Sequence, residues 1–438
     1  VGENRVRAHG RFPTAGRFLE APEDNGQATV KILFLTQFFY PERLFKGLPF
    51  AKALQARGHE VEVLTGFPNY PGGKIYPGYK VKPLQREVFD GIRVTRVPLY
   101  PSHDRGALRR TANYLSFAAS TALLGPWFVR RPDVIYVYNL VTLSPAWRIL
   151  RLLHGCRVVL DVQDLWPESV TSSGMLKRSH STRLLKAFCH GAYRSADAIV
   201  AQSPGFKRHL ENLGVPGDRI DVIYNWTDET TGDFTESEIA ETRQRCGMSG
   251  RFNILYAGAM GTAQALDVVF EAANKLRDAH PQVLFTLVGA GTEAERLAAR
   301  AKDVPNVQVL PRCSGREAAL MAQAADALLV HLKRDPLFSI TIPSKTQAYL
   351  RAGRPILMGV HGDAADLVRE ANAGLCFEPE NADALAARVT QLASMSREEL
   401  ASMGSNGGRF YSRALSMRNA VERFDWLFAK CCPEISRC

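Results

Sequence analysis

The feature that most constrains the fold of this chain is the regular alternation of short apolar runs with longer amphipathic segments. The first run, Val30–Thr36 (VKILFLT), is followed by a loop, a helical pattern (LPFAKALQARG) and a second run (HEVEVLTG). Continuous apolar runs of this length are typical of parallel strands buried on both faces. The pattern recurs in IRVTRVPLY, DVIYVYN, CRVVLDVQD, DAIVAQS and IDVIYNW. It predicts an α/β protein with an open parallel sheet covered by helices on both faces.

A second domain is indicated because the pattern stops and then restarts. Residues 227–250 are acidic and rich in threonine, and we interpret them as a linker between domains 29–226 and 251–405. Beyond the linker the runs FNILYAGAMG, VLFTLVGAG, VQVLP, ADALLVHL and RPILMGV alternate with helical patterns. Residues 406–438 form an amphipathic segment that is predicted to return to the first domain. Residues 1–28 lack periodicity and the apolar core of a signal peptide, and are predicted to be a disordered extension.

The segment around the tripeptide PSK is the strongest candidate for binding a ligand. It follows the strand pattern ADALLVHL and opens a helix after Pro343, a residue suited to the first turn of a helix. The unpaired N–H groups around Ser344, Lys345 and Thr346 favour an anion such as a phosphate group, to which Lys345 adds a charge. Lys333, in the preceding loop, is a second candidate. The alternative is an ordinary capped helix with solvated lysines.

A cluster of carboxylates follows one strand pattern of the first domain. The segment DVQDLWPES supplies Asp161, Asp164 and Glu168. Ligands of open α/β sheets bind at the carboxyl ends of the strands, so these side chains are candidates for a general base or for contacts to substrate hydroxyl groups. The alternative is that they cap and brace the loop.

Positive charge is concentrated in the first half of the chain. Residues 1–226 carry 31 Lys and Arg against 18 Asp and Glu, a net charge of +13, whereas the remainder carries 24 against 26, a net charge of −2. This asymmetry predicts that the first domain meets an anionic partner, which is a membrane surface, a phosphate-bearing acceptor or a nucleic acid. No nucleic-acid-binding module is recognisable, so nucleic acid is not predicted as a partner.

Residues 104–131 combine basic flanks with an aromatic, apolar centre. The apolar part, residues 114–129, is interrupted by Gly125 and Pro126 and is shorter than the roughly 20 residues that cross a bilayer, so no transmembrane helix is predicted. Basic flanks around an amphipathic stretch are typical of a helix on a membrane surface. The residues predicted to face the membrane or the acceptor are Arg105, Arg109, Arg110 and Trp127. The alternative is a helix packed on the sheet with solvated arginines.

Two further patterns argue against other classes of protein. The eight cysteines show no CxxC spacing, which favours reduced thiols in a cytoplasmic protein over a metal cluster. The segment GAGTEA (289–294) is a weak match to a dinucleotide-binding turn, and no clear acidic residue ends the following strand, VQVLP. An NAD-dependent oxidoreductase is therefore a minor hypothesis.

In combination, the motifs resemble those of the GT-B glycosyltransferases. The resemblance rests on GHEVEVLTG, DVQDLWPES, LVGAGTEAERL, ADALLVHL, PSKTQAYLRAGRPIL and AGLCFEPEN, and it extends from about residue 30 to the C-terminus. More narrowly, the sequence is similar to glycosyltransferase family 4 (group 1) and, within it, to bacterial surface-polysaccharide enzymes of the fucosamine or colanic-acid type. The resemblance implies an α/β, GT-B fold, with two Rossmann-like parallel-sheet domains facing a cleft and a C-terminal helix packed back on the first domain.

The same resemblance implies an activity. It implies retaining transfer of a sugar from a nucleotide-diphospho-sugar, with a UDP-sugar favoured, and without a metal or other cofactor. The implied acceptor is a lipid-linked saccharide of O-antigen, capsule or exopolysaccharide biosynthesis. An enzyme of this kind is expected in the cytoplasm, peripheral at the inner face of the plasma membrane.

Individual residues acquire roles from the resemblance. The residues implied to hold the donor diphosphate are Gly47, Lys333, Ser344, Lys345 and Thr346. Lys345 would stabilise the charge on the departing diphosphate, and Gly47, in the first βα loop, would let the backbone approach the phosphates. Asp161 and Asp164 would face the acceptor or the transferred sugar.

The sequence departs from the family pattern at two places. Many family members carry two glutamates separated by seven residues, and the corresponding positions here are Ile340 and Ala348. An Arg and a Lys that often follow the first strand of the second domain are replaced by a stretch that offers only Met260, Gly261 and Gln264. These departures leave two hypotheses, an enzyme that uses other groups and a non-catalytic nucleotide-sugar-binding protein of the same fold.

Overall fold

The computed structural model describes residues 29–42, 44–102, 107–168, 180–230 and 233–433. The predicted extension, residues 1–28, and the candidate residue Arg105 lie outside these ranges.

The first domain is built on an eight-stranded sheet. Its strands are β1 (Lys31–Leu35), β2 (Glu60–Thr65), β3 (Gln85–Phe89), β4 (Ile92–Arg96), β5 (Val134–Tyr138), β6 (Arg157–Val162), β7 (Ala198–Ala201) and β8 (Ile220–Val222). Their order in the sheet is β3-β4-β2-β1-β5-β6-β7-β8. All neighbouring strands are parallel except β3, which pairs antiparallel with β4 along one edge. Apart from Lys31 at the start of β1, strands β1 and β5 are apolar, because both faces of the sheet are covered.

Helices cover the two faces of this sheet unequally. The helices are α1 (Leu48–Ala56), α2 (Ala107–Phe128), α3 (Ser144–His154), α4 (His180–Ser195) and α5 (Pro204–Asn212). Helices α2 to α5 contribute Phe117, Trp147, Tyr193 and Phe206 to the apolar core on one face. The other face is covered by α1 and, as described below, by the end of the chain.

The second domain is a six-stranded parallel sheet. Its strands are β9 (Phe252–Ala259), β10 (Val283–Ala290), β11 (Val307–Pro311), β12 (Ala327–His331), β13 (Ile356–Gly359) and β14 (Gly374–Cys376), in the order β11-β10-β9-β12-β13-β14. Its helices are α6 (Glu236–Arg245), α7 (Asp267–Leu276), α8 (Ala294–Ala301), α9 (Gly315–Ala324), α10 (Pro336–Ser339), α11 (Ser344–Ala352), α12 (Asp363–Glu370), α13 (Ala382–Ala393) and α14 (Arg397–Phe410).

The stretch interpreted as a linker contains helix α6, which packs on the second domain. Thr235 and Glu238 form a capping box that fixes where α6 begins. The helix contacts α9, and the guanidinium group of Arg243 lies 3.2 Å from the carboxylate of Asp326.

The last helix returns to the first domain. After a π-helical turn at Tyr411–Leu415, helix α15 (Met417–Cys431) lays Phe424, Leu427 and Phe428 into the apolar core formed by the first sheet and α1. Asp425 of α15 pairs with Arg57 at 2.6 Å. The predicted arrangement of two parallel-sheet α/β domains with a returning C-terminal helix is thereby confirmed.

Candidate active site

Helix α11 begins at Ser344, directly after Pro343, and no side chain caps its N-terminus. The first N–H groups of a helix have no partner within the helix, and the helix dipole adds partial positive charge at this end. Ser344 is exposed and Lys345 is partly buried. The start of α11 therefore offers backbone donors and one ammonium group to an anion.

The Lys345 side chain lies against the end of strand β9. A Cβ atom placed on Gly258, which has a φ of +144°, would lie 2.6 Å from Lys345 Nζ. The same ammonium nitrogen lies 4.5 Å from the centre of the Tyr256 ring. Burial lowers the pKa of Lys345 to about 8, and no carboxylate among the described residues offsets this effect. Lys345 is thus a cation held in place without a counter-charge, which an anionic ligand would supply.

Thr346 does not share this position. Its side chain is fully buried, its backbone N–H donates to the Pro343 carbonyl at 2.8 Å, and its hydroxyl has no partner within the described part of the chain. The Thr346 side chain is therefore not exposed to a ligand in this conformation, and its part in holding the diphosphate together with Ser344 and Lys345 stays a prediction.

A cavity of about 470 Å³ opens beside α11. Ser344, Lys345 and Ala348 line one wall, and α9 lines another with small side chains such as Ala319 and Ala322. The volume lies within the range of small-molecule sites. Ala348 is one of the two positions at which the family pattern has a glutamate, so this wall presents a methyl group and no carboxylate.

Lys333 occupies a different place from Lys345. Its backbone N–H donates to the Ala263 carbonyl at 2.9 Å, so it fixes the loop after β9 to the end of β12. Its side chain is partly exposed and lines a second cavity of about 350 Å³, together with Ser339 and His361. The two lysines are both at the carboxyl edge of the second sheet, but they line different cavities.

His331, which the sequence patterns did not single out, organises this edge. Its Nε2 accepts a hydrogen bond from the Glu380 N–H at 2.9 Å, so Nδ1 carries the proton and donates to the Gln264 carbonyl at 2.7 Å. Burial lowers the pKa of His331, which favours this neutral form. Its position at the end of the apolar run ADALLVHL was the available signal. His331 thus holds the Gln264 loop at the carboxyl edge of the second sheet.

In the first domain, Asp161 is not available to a substrate. Its carboxylate is fully buried, 2.6 Å from Lys46 Nζ and 2.6 Å from the Tyr136 hydroxyl, and it also accepts from Gln163. The expected contact between Asp161 and the acceptor or the sugar is contradicted, because these three donors already occupy the carboxylate. Asp161 instead links the loop before α1, through Lys46, to strand β5, through Tyr136.

Asp164 remains open to solvent at the same edge of the sheet. It is exposed and accepts a hydrogen bond from Asn139 at 3.1 Å. Glu168 is partly buried, and its carboxylate lies 3.9 Å from His209 of α5, which suits the loop-bracing alternative better than a substrate contact. Of the three predicted carboxylates, Asp164 is the one that a substrate can reach.

Gly47 is buried immediately before α1. A Cβ atom there would lie 2.9 Å from the Leu44 carbonyl oxygen, so the close approach that requires glycine is to its own loop. The side chain of Lys46, the neighbouring residue, forms a salt bridge with Asp161 and so links this loop to strand β6.

The two domains meet beside the start of α5. Ser203 donates to the Ile340 carbonyl at 2.6 Å, and the Gly205 N–H donates to Asp363 Oδ2 at 2.6 Å. Arg208 lies 3.2 Å from the other Asp363 oxygen. Ile340 packs against the apolar core of the first domain. Ile340, the other position at which the family pattern has a glutamate, is therefore part of the contact between the domains. A carboxylate at this position would lie among apolar side chains.

The glycines of GAGTEA serve the packing of strands. Cβ atoms on Gly289 and Gly291 would lie 1.8 Å and 2.2 Å from the carbonyl oxygens of Gly258 and Met260. The tight approach of β10 to β9 accounts for this motif without a dinucleotide. Within the described ranges, no group of three or more His, Cys, Asp or Glu side chains is arranged to hold a metal ion.

Of the residues predicted to face the membrane, Trp127 is 78% exposed on α2. Arg109 on the same helix is exposed and Arg110 is partly buried. No helix in the described part of the chain combines the length and the apolar character needed to span a bilayer.

Comparisons with known proteins match both domains. A family model described as a glycosyl transferase 4-like domain matches residues 48–226, and one described as glycosyl transferases group 1 matches residues 239–410. WcaI of Escherichia coli (strain K12), provisionally named a colanic acid biosynthesis glycosyl transferase, is 26% identical over 85% of this chain and 92% of its own. WbjE of Pseudomonas aeruginosa, named a probable glycosyltransferase, is 24% identical over 67% of this chain and 74% of its own.

A solved structure shares the whole architecture. HepE from Anabaena, in complex with UDP-glucose, superposes with a TM-score of 0.65 at 16% identity, over 92% of this chain and all of that one. This likeness concerns the fold. The two family models, which span both domains, show that the chain belongs to the GT-B glycosyltransferases of group 1, family 4, and its relative WcaI is named for colanic acid biosynthesis.

Proposed function

We propose that this glycosyltransferase transfers a sugar from a nucleotide-diphospho-sugar to a lipid-linked saccharide acceptor, with retention of anomeric configuration. The product would belong to a bacterial surface polysaccharide such as O-antigen, capsule or exopolysaccharide. The observation that carries the proposal is the Lys345 ammonium group, which is held at the N-terminus of α11 beside a cavity and has no counter-charge among the described residues.

The donor would place its diphosphate against the start of α11. There the exposed Ser344 hydroxyl, the first backbone N–H groups and Lys345 supply hydrogen-bond donors and positive charge. As the bond to the sugar breaks, negative charge grows on the leaving diphosphate, and donors already in place stabilise it without reorganising. Transfer without a bound metal is proposed on this basis, with Lys333 as a further cation at the same edge of the sheet. UDP is the favoured nucleotide, because HepE, a structural neighbour, binds UDP-glucose.

The acceptor would approach from the first domain, where Asp164 is an exposed carboxylate after strand β6. We assign Asp164 to contact an acceptor or sugar hydroxyl group. A lipid-linked acceptor requires an enzyme at the cytoplasmic face of the membrane, and the excess positive charge of residues 1–226 supports such a location.

Thermal-shift measurements against UDP, GDP, ADP and NADH test the donor site directly. We expect stabilisation by one nucleoside diphosphate, UDP first, and its loss in Lys345→Ala. Stabilisation by NADH alone would overturn the proposal. The anomeric configuration of the product, read by NMR, tests retention, and an inverted product would reject that part.

The absence of carboxylates at Ile340 and Ala348 favours one competing function, a non-catalytic nucleotide-sugar-binding protein. This alternative predicts the same nucleotide stabilisation with no sugar release from any nucleotide sugar in the presence of lipid-linked acceptors. Turnover that is lost in Lys345→Ala would exclude it.

A further inference from the structure

The outward face of helix α2 is apolar. Leu108, Leu115, Leu123 and Trp127 recur at helical intervals along it and are 88%, 56%, 70% and 78% exposed. The inward face is also apolar, with Phe117 buried in the core of the first domain. A helix on the surface of a water-soluble protein normally presents polar residues outward, so α2 faces something other than water.

Helices α3 and α4 continue this apolar surface. Helix α3 packs against both α2 and α4. On α3, Leu152 and Leu153 are 83% and 58% exposed, and on α4 Leu184 is 76% exposed. Of the thirteen large apolar side chains that are exposed in the described ranges, nine lie on these three helices and none lies in the second domain. Such concentration marks an interaction surface and not the usual scatter of apolar side chains.

The charge of these helices indicates which kind of partner the surface binds. Together α2, α3 and α4 carry seven Lys and Arg residues and no Asp or Glu. Among the basic residues Arg148, Arg183 and Lys186 are exposed. A second copy of the chain would bring like charges face to face, whereas the headgroups of anionic lipids attract basic residues beside apolar ones.

The surface adjoins the proposed acceptor site. Tyr114, on the inner side of α2, contacts the Trp166 ring at a centroid distance of 6.3 Å. Trp166 lies two residues beyond Asp164 in the same loop. An acceptor whose lipid remains in the bilayer would reach Asp164 past the start of α2.

We propose that α2, α3 and α4 form one docking surface, the three-helix surface, that rests on an anionic lipid bilayer. Its leucines and Trp127 enter the interfacial layer, and its arginines and lysine contact lipid phosphates. The choice of a bilayer as partner rests on the proposed function, since a lipid-linked acceptor is met there. The three-helix surface extends the sequence prediction for residues 104–131 to two helices that it did not include.

Vesicle co-sedimentation tests the three-helix surface. The unmodified enzyme should bind vesicles that contain phosphatidylglycerol, bind phosphatidylcholine vesicles much less, and be released by salt. The double variant Leu152→Ser/Leu153→Ser should bind at least about tenfold more weakly, because two apolar side chains no longer enter the interface. Leu123→Ser on α2 should also weaken binding. Val88→Ser is the matched control, since Val88 is 66% exposed but lies on strand β3, and it should bind like the unmodified enzyme.

The outcomes separate this proposal from the donor chemistry. Thermal stability and stabilisation by UDP should be unchanged in Leu152→Ser/Leu153→Ser, which confirms that the variant is folded. No vesicle binding by the unmodified enzyme, or equal binding by the double variant, would overturn the proposal. If light scattering shows that the unmodified enzyme is a dimer and the double variant is a monomer, the surface mediates self-association instead. Vesicle binding without any nucleotide binding would reject the donor site and leave the three-helix surface standing.

Discussion

The Lys46 ammonium nitrogen lies 2.6 Å from Asp161 Oδ2, and both side chains are completely buried. The pair joins the loop before α1 to the end of β6, 115 residues further along the chain. Burial lowers the pKa of Lys46, while the charge of Asp161 and its hydrogen bond oppose that effect. Removing either partner would leave an uncompensated charge in an apolar environment, which is strongly destabilising.

Asp161→Asn should therefore lower the free energy of unfolding by about 3 kcal/mol, measured by urea denaturation. Asp164→Asn is the matched control, since Asp164 is exposed and its replacement should change stability by less than about 0.5 kcal/mol. If Asp164 contacts the acceptor, its variant should instead raise the KM for the acceptor. An Asp161→Asn protein as stable as the unmodified enzyme would refute the structural role of the pair.

Lys345→Met should separate stability from activity. Methionine keeps the packing of the side chain and removes a charge that has no partner among the described residues, so the free energy of unfolding should rise by about 1 kcal/mol. The kcat/KM for the nucleotide sugar should fall at least about tenfold, because the cation that stabilises the leaving diphosphate is gone. A variant that is less stable and equally active would show that Lys345 only supports the fold.

The affinity for UDP should fall as pH rises. The pKa of Lys345 is lowered to about 8, so the free enzyme carries the charge at pH 7 and has largely lost it at pH 9. The diphosphate binds the protonated form, which predicts about tenfold weaker binding at pH 9 than at pH 7 by calorimetry. In Lys345→Arg the guanidinium group stays charged, and the affinity should be nearly constant over this range. An unmodified enzyme with equally flat affinity would contradict the assignment.

Gly205→Ala should disturb the contact between the domains. The added Cβ would lie 2.5 Å from Ile340 Cβ and 2.6 Å from Asp363 Oδ2. We expect a loss of about 1–3 kcal/mol in the free energy of unfolding, together with lower turnover, because the two halves of the site are held less accurately. Gly72→Ala, where a Cβ would meet no atom within 4 Å, provides the control. Unchanged calorimetry and kinetics in Gly205→Ala would show that this contact does not set the domain arrangement.

The apolar periodicity was enough to predict both sheets, because continuous runs such as VKILFLT can be buried only between two layers of helices. Local pattern was misleading at Gly125 and Pro126, which suggested a break. Helix α2 nevertheless continues through both residues to Phe128, and Gly125 packs closely on Leu64, where a Cβ would lie 3.0 Å from Leu64 Cδ2. That contact joins distant parts of the chain and leaves no trace in the local sequence.

The candidate site was also predictable only as far as local sequence determines structure. The N-terminus of α11 could be located from PSK, since a proline followed by polar residues and an amphipathic pattern indicates where a helix begins. The burial of Asp161 could not be predicted, because it depends on the ion pair with Lys46. The placement of Ile340 against the first domain could not be predicted either. A sequence shows which groups are near a strand end, whereas their partners are decided by tertiary packing.

The return of α15 to the first domain has a consequence for how the protein is made. Translation delivers the first sheet and α1 long before residues 417–431, which fill the apolar surface around Phe50 and Tyr136. Until residues 417–431 leave the ribosome, one side of the first domain stays uncovered and prone to unwanted association. A premature stop codon just before Met417 would therefore compromise the domain synthesised first, although every residue of the second sheet would be present.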